Sequence, residues 1–359
     1  MKRNKISKKL KKLKFNIIKF ILTLSFLFVI IILNIINNYF NKVNIDIDVN
    51  IKEAYLAINE TVEIKSSINN LKYISADNSI ATVNNGIITG IKKGETTIKV
   101  KKGNTIKNIK VYVSDLYTTD ILNNNKEYLK CGEYSEKENI YLDKVLEYKI
   151  KQVGYKTRAS AVEAARFLTL EFKYKIHYFY ENGRLLTNGT RSYVDGEGRY
   201  YHKGLYLNEF KIKNITSNLY GPEIWGCDLY TKILGEYTPN GLDCSGFISW
   251  VLLNAGFDVG DAGAGISDKK TNDLDDLGKK IEIDKNSFDK VKVGDLLSRD
   301  GHIGILIGID KNTYYVAEAL DYDLHVLTYN QNELLKSDWL YFINLDDLYI
   351  NDGNLTNMW

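Results

Sequence analysis

Cysteine and histidine are scarce in this sequence, and their scarcity limits the chemistry that the chain can support. The 359 residues include three cysteines, Cys131, Cys227 and Cys244, and four histidines. Three cysteines are too few for a disulfide framework, although a bond between Cys131 and Cys227 could form outside the cell. No group of Cys and His has the spacing of a zinc site, and we expect no metal or organic cofactor.

Acidic residues are absent from the first 19 positions, which hold nine Lys or Arg. The formal net charge of +3 arises from this block, because removing it leaves 39 basic residues against 45 acidic ones, a balance of −6. The basic charge is therefore local, and the composition gives no support for nucleic-acid binding.

The segment 20–36 contains no charged residue and predicts a membrane helix. At 1.5 Å per residue it reaches about 25 Å, and its flanks out to Phe15 and Phe40 complete a bilayer span. Lysines concentrated before the span predict that the N-terminus stays inside the cell and the rest lies outside. A cleaved signal peptide is the alternative, but 35–40 offers no small-x-small cleavage site. We therefore predict a basic cytoplasmic tail and an uncleaved signal anchor over 1–43.

Residues 44–115 predict an all-β domain. Three short segments alternate apolar and polar residues, as half-buried strands do: 49–51, 61–65 and 96–100. Asn84-Asn85-Gly86 and Lys102-Gly103-Asn104 are typical of hairpin turns.

Part of this segment resembles a known family of surface modules. The stretches 75–83, 86–90 and 93–98 resemble the bacterial Ig-like domain, group 2 (BIG2). The resemblance implies an Ig-like sandwich that acts as an adhesive module or, in a single copy, as a spacer. Residues 116–135, which are polar and rich in asparagine, predict a linker after it.

We treat the segment 136–219 as an N-terminal extension of the domain that follows it. Its stretches 140–152 and 160–172 have helical periodicity. Ser160, with Glu163 three residues later, fits the N-cap of the second helix.

Cys244 stands at the start of an amphipathic stretch. Apolar residues follow it at the spacing of a helix face: Phe247, Ile248, Val251, Leu252 and Ala255. The first turn of a helix offers unpaired N–H groups and the positive end of the helix dipole, which favour a thiolate. His302 precedes an apolar, strand-like run, and a cysteine and a histidine that meet in space form a nucleophile and its base. A buried core cysteine is the alternative, and the polar neighbours Asp243 and Ser245 argue against it.

Three sequence blocks together resemble the NlpC/P60 family of papain-like cysteine peptidases. They occur in the family's order: Asp243-Cys244-Ser245-Gly246-Phe247, Val293-Gly294-Asp295-Leu296-Leu297 and His302-Ile303-Gly304-Ile305-Leu306-Ile307-Gly308. The resemblance covers about 220–320 and implies a papain-like α+β catalytic domain over 220–350.

The resemblance also implies catalytic roles. Cys244 would attack an amide carbonyl to form an acyl-enzyme, and His302 would take up the thiol proton and return it to the leaving amine. A third polar residue, one strand beyond the histidine, would orient the imidazole. The matching position is Glu318, where the family more often has His, Asn or Gln, and its carboxylate would accept the Nδ1 proton of the ring. His325 is the alternative for this role.

Further residues near the nucleophile are expected to shape substrate binding. Asp243 would set the helix terminus or a neighbouring side chain, and Ser245 would hydrogen-bond at the cap. The stretch 222–227 resembles the block that usually precedes the cysteine in this family. There Trp225 is expected to line the cleft, whereas Glu223 replaces the family's tyrosine.

The resemblance implies a cell-wall hydrolase that cuts peptidoglycan stem peptides, such as the bond between D-glutamate and the diamino acid. The predicted topology agrees with it, because the wall of a Gram-positive-type envelope is the substrate outside the membrane. Two alternatives stay open: an amidase or acyltransferase of the same fold, and a non-catalytic protein of wall binding or adhesion.

Overall fold

A computed structural model describes most of the chain: residues 2–42, 46–121, 126–133, 135–178, 228–233, 236–239, 241–259, 262–264 and 273–359. The chain divides into two compact units. One comprises Met1–Ala54, Thr61–Ile88 and Glu95–Val111, and the other comprises Tyr55–Glu60, Thr89–Gly94 and Tyr112–Trp359.

The first element is the long helix α1 (Lys2–Lys42). Its segment Lys9–Ile36 has a mean hydropathy of 2.5 and is long and apolar enough to cross a membrane. A signal sequence has the same length and composition, so these properties fit either a membrane span or a signal sequence. The predicted apolar helix is therefore confirmed.

Residues 53–114 contain only strands and turns, as predicted. The strands are β1 (Glu53–Ala57), β2 (Thr61–Glu63), β3 (Lys72–Ser75), β4 (Ala81–Asn84), β5 (Ile87–Gly90), β6 (Gly94–Lys102) and β7 (Thr105–Ser114). They form a four-stranded sheet in the order β1-β7-β6-β3 and a three-stranded sheet in the order β2-β5-β4.

Both predicted hairpin turns are confirmed. Asn85 and Gly86 join β4 to β5 with φ values of 48° and 85°, and Gly103 joins β6 to β7 with a φ of 58°. These are left-handed conformations, which glycine and asparagine adopt at little steric cost.

The strand predicted at 49–51 is wrong, because the first strand begins at Glu53. Asn50 bridges to the end of β2 with its side chain instead. Its Oδ1 accepts the N–H of Lys65 at 2.7 Å, and its Nδ2 donates to the carbonyl of Glu63 at 3.1 Å. The backbone N–H of Asn50 also donates to the carbonyl of Lys65 at 3.0 Å, so these bonds hold the stretch near the end of β2 although it forms no regular strand.

Among its described residues, the second unit has helices at the three predicted places and a further short helix that the sequence did not predict. They are α2 (Glu136–Val153), α3 (Arg158–Arg166), a π-helix (Phe167–Glu171), α4 (Cys244–Ala255) and the short α5 (Gln331–Leu334). Two 3₁₀ turns lie at Leu274–Leu277 and Phe288–Lys290.

Ser160 is not the N-cap of α3, which corrects the prediction. Thr157 is the N-cap, and Ser160 is the third helical residue of its capping box. The Ser160 hydroxyl accepts the N–H of Thr157 at 3.1 Å, while the Thr157 hydroxyl accepts the N–H of Ser160 at 3.3 Å. Both residues suit caps, and the reciprocal pair places the helix start earlier than Ser160 alone would.

The largest sheet in the described residues has six antiparallel strands. They are β12 (Lys279–Glu282), β13 (Leu296–Arg299), β14 (His302–Asp310), β15 (Thr313–Leu320), β16 (Asp323–Asn330) and β17 (Tyr341–Asn344). Their order is β12-β17-β13-β14-β15-β16. Two smaller pairs accompany the sheet: β8 (Glu127–Tyr128) beside β9 (Tyr174–Lys175), and β10 (Asp228–Ile233) beside β11 (Glu236–Pro239).

One buried core joins the helices to a face of this sheet. It includes Leu142 of α2, Phe167 of the π-helix, Phe247 of α4 and Ile303 and Ile305 of β14. Alternate residues of a strand share a face, so β14 turns its odd-numbered isoleucines toward α4. The fold of this unit is therefore α+β, with helices against an antiparallel sheet.

The polar stretch 116–135 is not a free linker. Leu116, Tyr117 and Leu129 are buried in the same core, and β8 within the stretch pairs with β9. These three apolar residues pack the segment against the core. The overall composition of the segment, which is mostly polar, does not indicate this. The predicted boundary at 219/220 lies outside the described residues and stays a prediction.

Asp295, from the second sequence block, anchors α3 to the sheet. The fully buried guanidinium of Arg158 donates to Asp295 Oδ1 and to Asp346 Oδ1, each at 2.6 Å. It also lies 4.7 Å from the ring centroid of Tyr349. Asp295 Oδ2 accepts the N–H of Lys292 at 2.8 Å and so shapes the turn before β13.

Replacing Arg158 with methionine should lower the free energy of unfolding by about 3–5 kcal/mol, because Asp295 would keep a buried charge without its partner. Denaturant titration of the full chain in detergent measures this change. The control is Lys151→Met, since the pair Lys151–Glu147 is largely exposed and should contribute less than about 1 kcal/mol. Equal losses from both variants would contradict the anchoring role.

Candidate active site

Helix α4 begins at Cys244, and Asp243 is its N-cap. Asp243 Oδ1 accepts the N–H of Gly246 at 2.7 Å and the hydroxyl of Ser245 at 3.2 Å. The carboxylate thus accepts a hydrogen bond from an N–H group that has no backbone partner within the first helical turn. These contacts confirm that Asp243 sets the helix terminus and that Ser245 hydrogen-bonds at the cap.

The thiol of Cys244 lies against the turn that leads into β14. Its side chain is largely buried, with 7% exposed, and Sγ is 3.9 Å from the carbonyl oxygen of Gly301. Gly301 has a φ of 67° in the tight turn between β13 and β14, a conformation that favours glycine. The next residue in the chain is His302, so the turn brings the histidine backbone beside the nucleophile.

His302 and Glu318 form a buried pair. The Nε2 of His302 donates to Oε2 of Glu318 at 2.5 Å, and the two residues are 4% and 1% exposed. The predicted contact used the other ring nitrogen, so that detail is corrected. With Nε2 directed to the carboxylate, Nδ1 is the ring nitrogen that takes no part in this contact.

The register of the sheet explains how the pair meets. Glu318 on β15 lies directly opposite Gly304 on β14, and His302 stands two residues before Gly304 on the same face. Diagonal neighbours of this kind are within reach of long side chains. A Cβ at Gly304 would lie 2.9 Å from Val316 Cγ1 and 3.4 Å from Glu318 Cβ. The glycine therefore leaves the space in which the imidazole and the carboxylate approach each other.

Trp339 covers one face of the histidine ring. The two ring centroids are 5.2 Å apart with an interplanar angle of 29°. The guanidinium of Arg299 lies 5.7 Å from the Trp339 centroid and pairs with Asp338 at 3.2 Å. This stack restricts rotation of His302. Trp339 comes from the segment before β17, where no sequence pattern marks it as a site residue.

His325 belongs to a separate cluster, although it lies opposite Glu318 in the sheet. Its Nδ1 is 2.8 Å from Asp323 Oδ1. The other carboxylate oxygen of Asp323 accepts from Lys175 at 2.9 Å and from Tyr128 at 3.0 Å. Burial acts to raise the pKa of Asp323, but these hydrogen-bond partners together outweigh it and hold the pKa below its usual value. Glu318, rather than His325, is therefore the residue in contact with His302.

The redox states of the cysteines separate Cys244 from Cys131. Cys244 is a free thiol, whereas Cys131 is disulfide-bonded. Cys227 and the predicted cleft residues Glu223 and Trp225 lie outside the described residues. Within the described part of the chain, no group of three His, Cys, Asp or Glu residues is arranged to hold a metal ion.

Comparison with known proteins adds little to this geometry. No family model and no curated protein matches the sequence. Among solved structures, domains 4 and 5 of the S-layer protein SbsC are 21% identical over 19% of this chain and 51% of that chain, with a TM-score of 0.17. Domains 5-6 of SbsC are 20% identical over 25% of this chain and 55% of that chain, with a TM-score of 0.18. The chain thus spans about half the length of these structures, and likenesses this slight carry no argument.

The contact geometry predicts how the reactivity of Cys244 depends on Glu318. Replacing Glu318 with alanine should slow alkylation of Cys244 by iodoacetamide at neutral pH by about tenfold or more, because an unoriented imidazole is a poor base. Mass spectrometry of the labelled chain gives the rate, and the disulfide at Cys131 keeps that sulfur unreactive. His325→Ala is the matched control and should react at the wild-type rate. Equal slowing by both substitutions would show that Glu318 has no special role.

Proposed function

We propose that this protein is a membrane-anchored cysteine hydrolase of the papain-like NlpC/P60 type that cleaves peptide bonds in peptidoglycan stem peptides. The observation that carries the proposal is the buried His302–Glu318 pair, which stands at the start of β14 directly after Gly301, whose carbonyl oxygen is 3.9 Å from Cys244 Sγ. A buried imidazole and carboxylate are costly unless they are paired. A pair of this kind, on a strand whose preceding turn contacts a free thiol, fits the needs of nucleophilic catalysis.

The chemistry begins with transfer of the thiol proton. Glu318 accepts from Nε2–H and fixes the tautomer in which Nδ1 is unprotonated, and the proposal requires this nitrogen to reach Sγ and take the proton of Cys244. The thiolate attacks the amide carbonyl, and the N–H groups at the start of α4, including that of Cys244, stabilise the oxyanion. His302, now protonated on both nitrogens, gives one proton to the leaving amine as the C–N bond breaks. The products of this half-reaction are a free amine and a thioester on Cys244.

Hydrolysis of the thioester completes the cycle. Water loses a proton to Nδ1 of His302 while its oxygen attacks the acyl carbon, and the carboxylic acid leaves as the thiol is restored. Glu318 keeps its charge throughout and stabilises the imidazolium that forms in both halves. No step requires an electron donor or acceptor.

The N-terminal half of the chain supports a location outside the membrane. The apolar helix α1 serves as a single uncleaved anchor, and the basic residues before it keep the N-terminus in the cytoplasm. The β-rich segment 44–115 acts as an Ig-like spacer. A disulfide at Cys131 supports this location, because disulfides persist in oxidising compartments.

The anchor can be tested by fractionation of cells. The intact chain should remain in the membrane after alkaline carbonate extraction, and its N-terminal residues should be detected by mass spectrometry. An Ile30→Arg, Ile31→Arg double substitution should release part of the protein, because each centrally placed Arg costs about 2.5–3.5 kcal/mol on insertion scales. Recovery of a soluble chain that begins near residue 40 would instead identify a cleaved signal peptide.

The reaction can be tested on intact peptidoglycan. The full chain in detergent, beside its Cys244→Ala variant, is incubated with purified wall, and the soluble fragments are read by mass spectrometry. The wild type alone should release new stem-peptide termini, and their masses identify the bond. New termini at the junction of sugar and peptide would favour the amidase alternative. No fragments from either protein, with both pelleting with the wall, would contradict the hydrolase and favour a binding protein.

A further inference from the structure

A second cavity, of about 720 Å³, lies on the helical side of the sheet. Its polar and aromatic walls include Glu163, Arg166, Glu171, Tyr315 and Trp359. Arg166 binds the carbonyl of Ile307, five residues along β14 from His302. At about 3.3 Å per residue, this part of the cavity wall lies roughly 16 Å along the strand from the catalytic pair.

Trp359 forms an aromatic platform at the cavity. The guanidinium of Arg166 lies 5.8 Å from its ring centroid, and Tyr315 meets it edge-on at a centroid distance of 5.1 Å. The side chain is nevertheless 43% exposed. A tryptophan that is held from two sides but still reaches solvent offers a π-face to a ligand.

Arg166 is fixed by neutral partners. Its Nε and Nη2 donate to the carbonyl of Ile307 at 2.9 and 2.6 Å, and its other contacts are the carbonyl and hydroxyl of Thr356 at 2.8 and 2.9 Å. No carboxylate of the described residues lies within ion-pair distance of it. The guanidinium is therefore rigid, and its charge is not cancelled by a direct salt bridge.

Carboxylates flank the guanidinium along the helix. The side chain of Glu163 makes no hydrogen bond or ion pair with any described residue, and it lies one turn before Arg166. The π-helix brings Glu171 to the same cavity, where Oε2 is 3.0 Å from Lys149 Nζ. Burial raises the pKa of Glu171 to about 7, so near neutral pH its carboxyl group is present in both donor and acceptor forms.

We propose that this cavity binds a pyranose ring of a glycan. A sugar presents C–H groups that stack on an indole face, and hydroxyls that both donate to carboxylates and accept from a guanidinium. The carboxyl groups of Glu163 and Glu171 and the guanidinium of Arg166, which line the cavity together with Trp359, match that pattern. A strongly anionic ligand would be repelled by the carboxylates of Glu163 and Glu171. A purely apolar ligand would remove water from both carboxylates without replacing the hydrogen bonds that the water made.

The saccharide site complements the proposed hydrolase, because peptidoglycan joins a glycan strand to its stem peptides. The inference that the bound glycan is peptidoglycan rests on the proposed function, whereas the inference that the cavity binds a sugar does not. The test therefore uses the Cys244→Ala chain, which cannot form an acyl-enzyme. Saccharide binding and wall digestion can then succeed or fail independently.

The experiment follows the binding of a β-1,4-linked N-acetylglucosamine tetrasaccharide to the full Cys244→Ala chain in lipid nanodiscs. The four tryptophans are labelled with 5-fluorotryptophan, and the ¹⁹F signal of Trp359 is assigned by its loss in Trp359→Phe. This signal should shift saturably with saccharide. Trp359→Ala lacks this signal, so its affinity is measured by isothermal titration calorimetry beside the parent, and it should bind about tenfold or more weakly, the effect of removing a central tryptophan from an interface.

Glu163→Ala provides a second variant that should fold normally, because this side chain has no hydrogen bond or ion pair within the described chain. It should weaken binding several-fold. Tyr322→Ala is the control, since Tyr322 is 80% exposed and does not line the cavity, and it should bind as tightly as the parent. A Trp359 signal that stays unmoved at millimolar saccharide would overturn the proposal. Unchanged affinity in both Trp359→Ala and Glu163→Ala would overturn it equally.

Discussion

The buried contact between His302 and Glu318 is the interaction on which the proposed chemistry depends. Neither group can be removed from water cheaply on its own, so the surrounding fold must hold the two together. Three features do so: the antiparallel register of β14 and β15, the missing side chain at Gly304 and the indole of Trp339. The strand that carries His302 thus also determines which of its ring nitrogens contacts the carboxylate of Glu318.

The three sequence blocks serve different purposes in the structure. The first places Cys244 and its cap, and the third supplies His302 and Gly304, whereas the second anchors the fold through Asp295 and Arg158. Because Arg158 belongs to α3, the geometry of the sheet depends on residues far upstream of the nucleophile. Residues of α2 and the π-helix also contribute to the core beneath α4. We therefore expect a fragment that begins at 220 to lack much of the core that positions Cys244.

Local patterns in the sequence predicted the local elements well. Periodicity predicted α4, a polar residue before it predicted the cap at Asp243, and Asn-Gly and Gly-Asn pairs predicted two hairpins. Two of the predictions that failed did so for different reasons. The N-cap of α3 was misplaced because Ser160 and Thr157 both suit that position, and the linker was wrong because buried Leu129 lies within an otherwise polar stretch. The stack of Trp339 on His302 and the choice of Nε2 arise from strand register and a contact remote in sequence. Neither contact produces a periodic pattern in the sequence from which it could be predicted.

The central claim is that Cys244 forms a covalent acyl intermediate, and intact-protein mass spectrometry after an acid quench tests it most directly. The full chain is mixed with soluble stem-peptide fragments and quenched within milliseconds to seconds. The account predicts a transient mass increase equal to the acyl part of the substrate, located on the peptide that contains Cys244. It should be absent from Cys244→Ala. Release of product at a rate unaffected by Cys244→Ala, with no adduct on Cys244, would contradict the account.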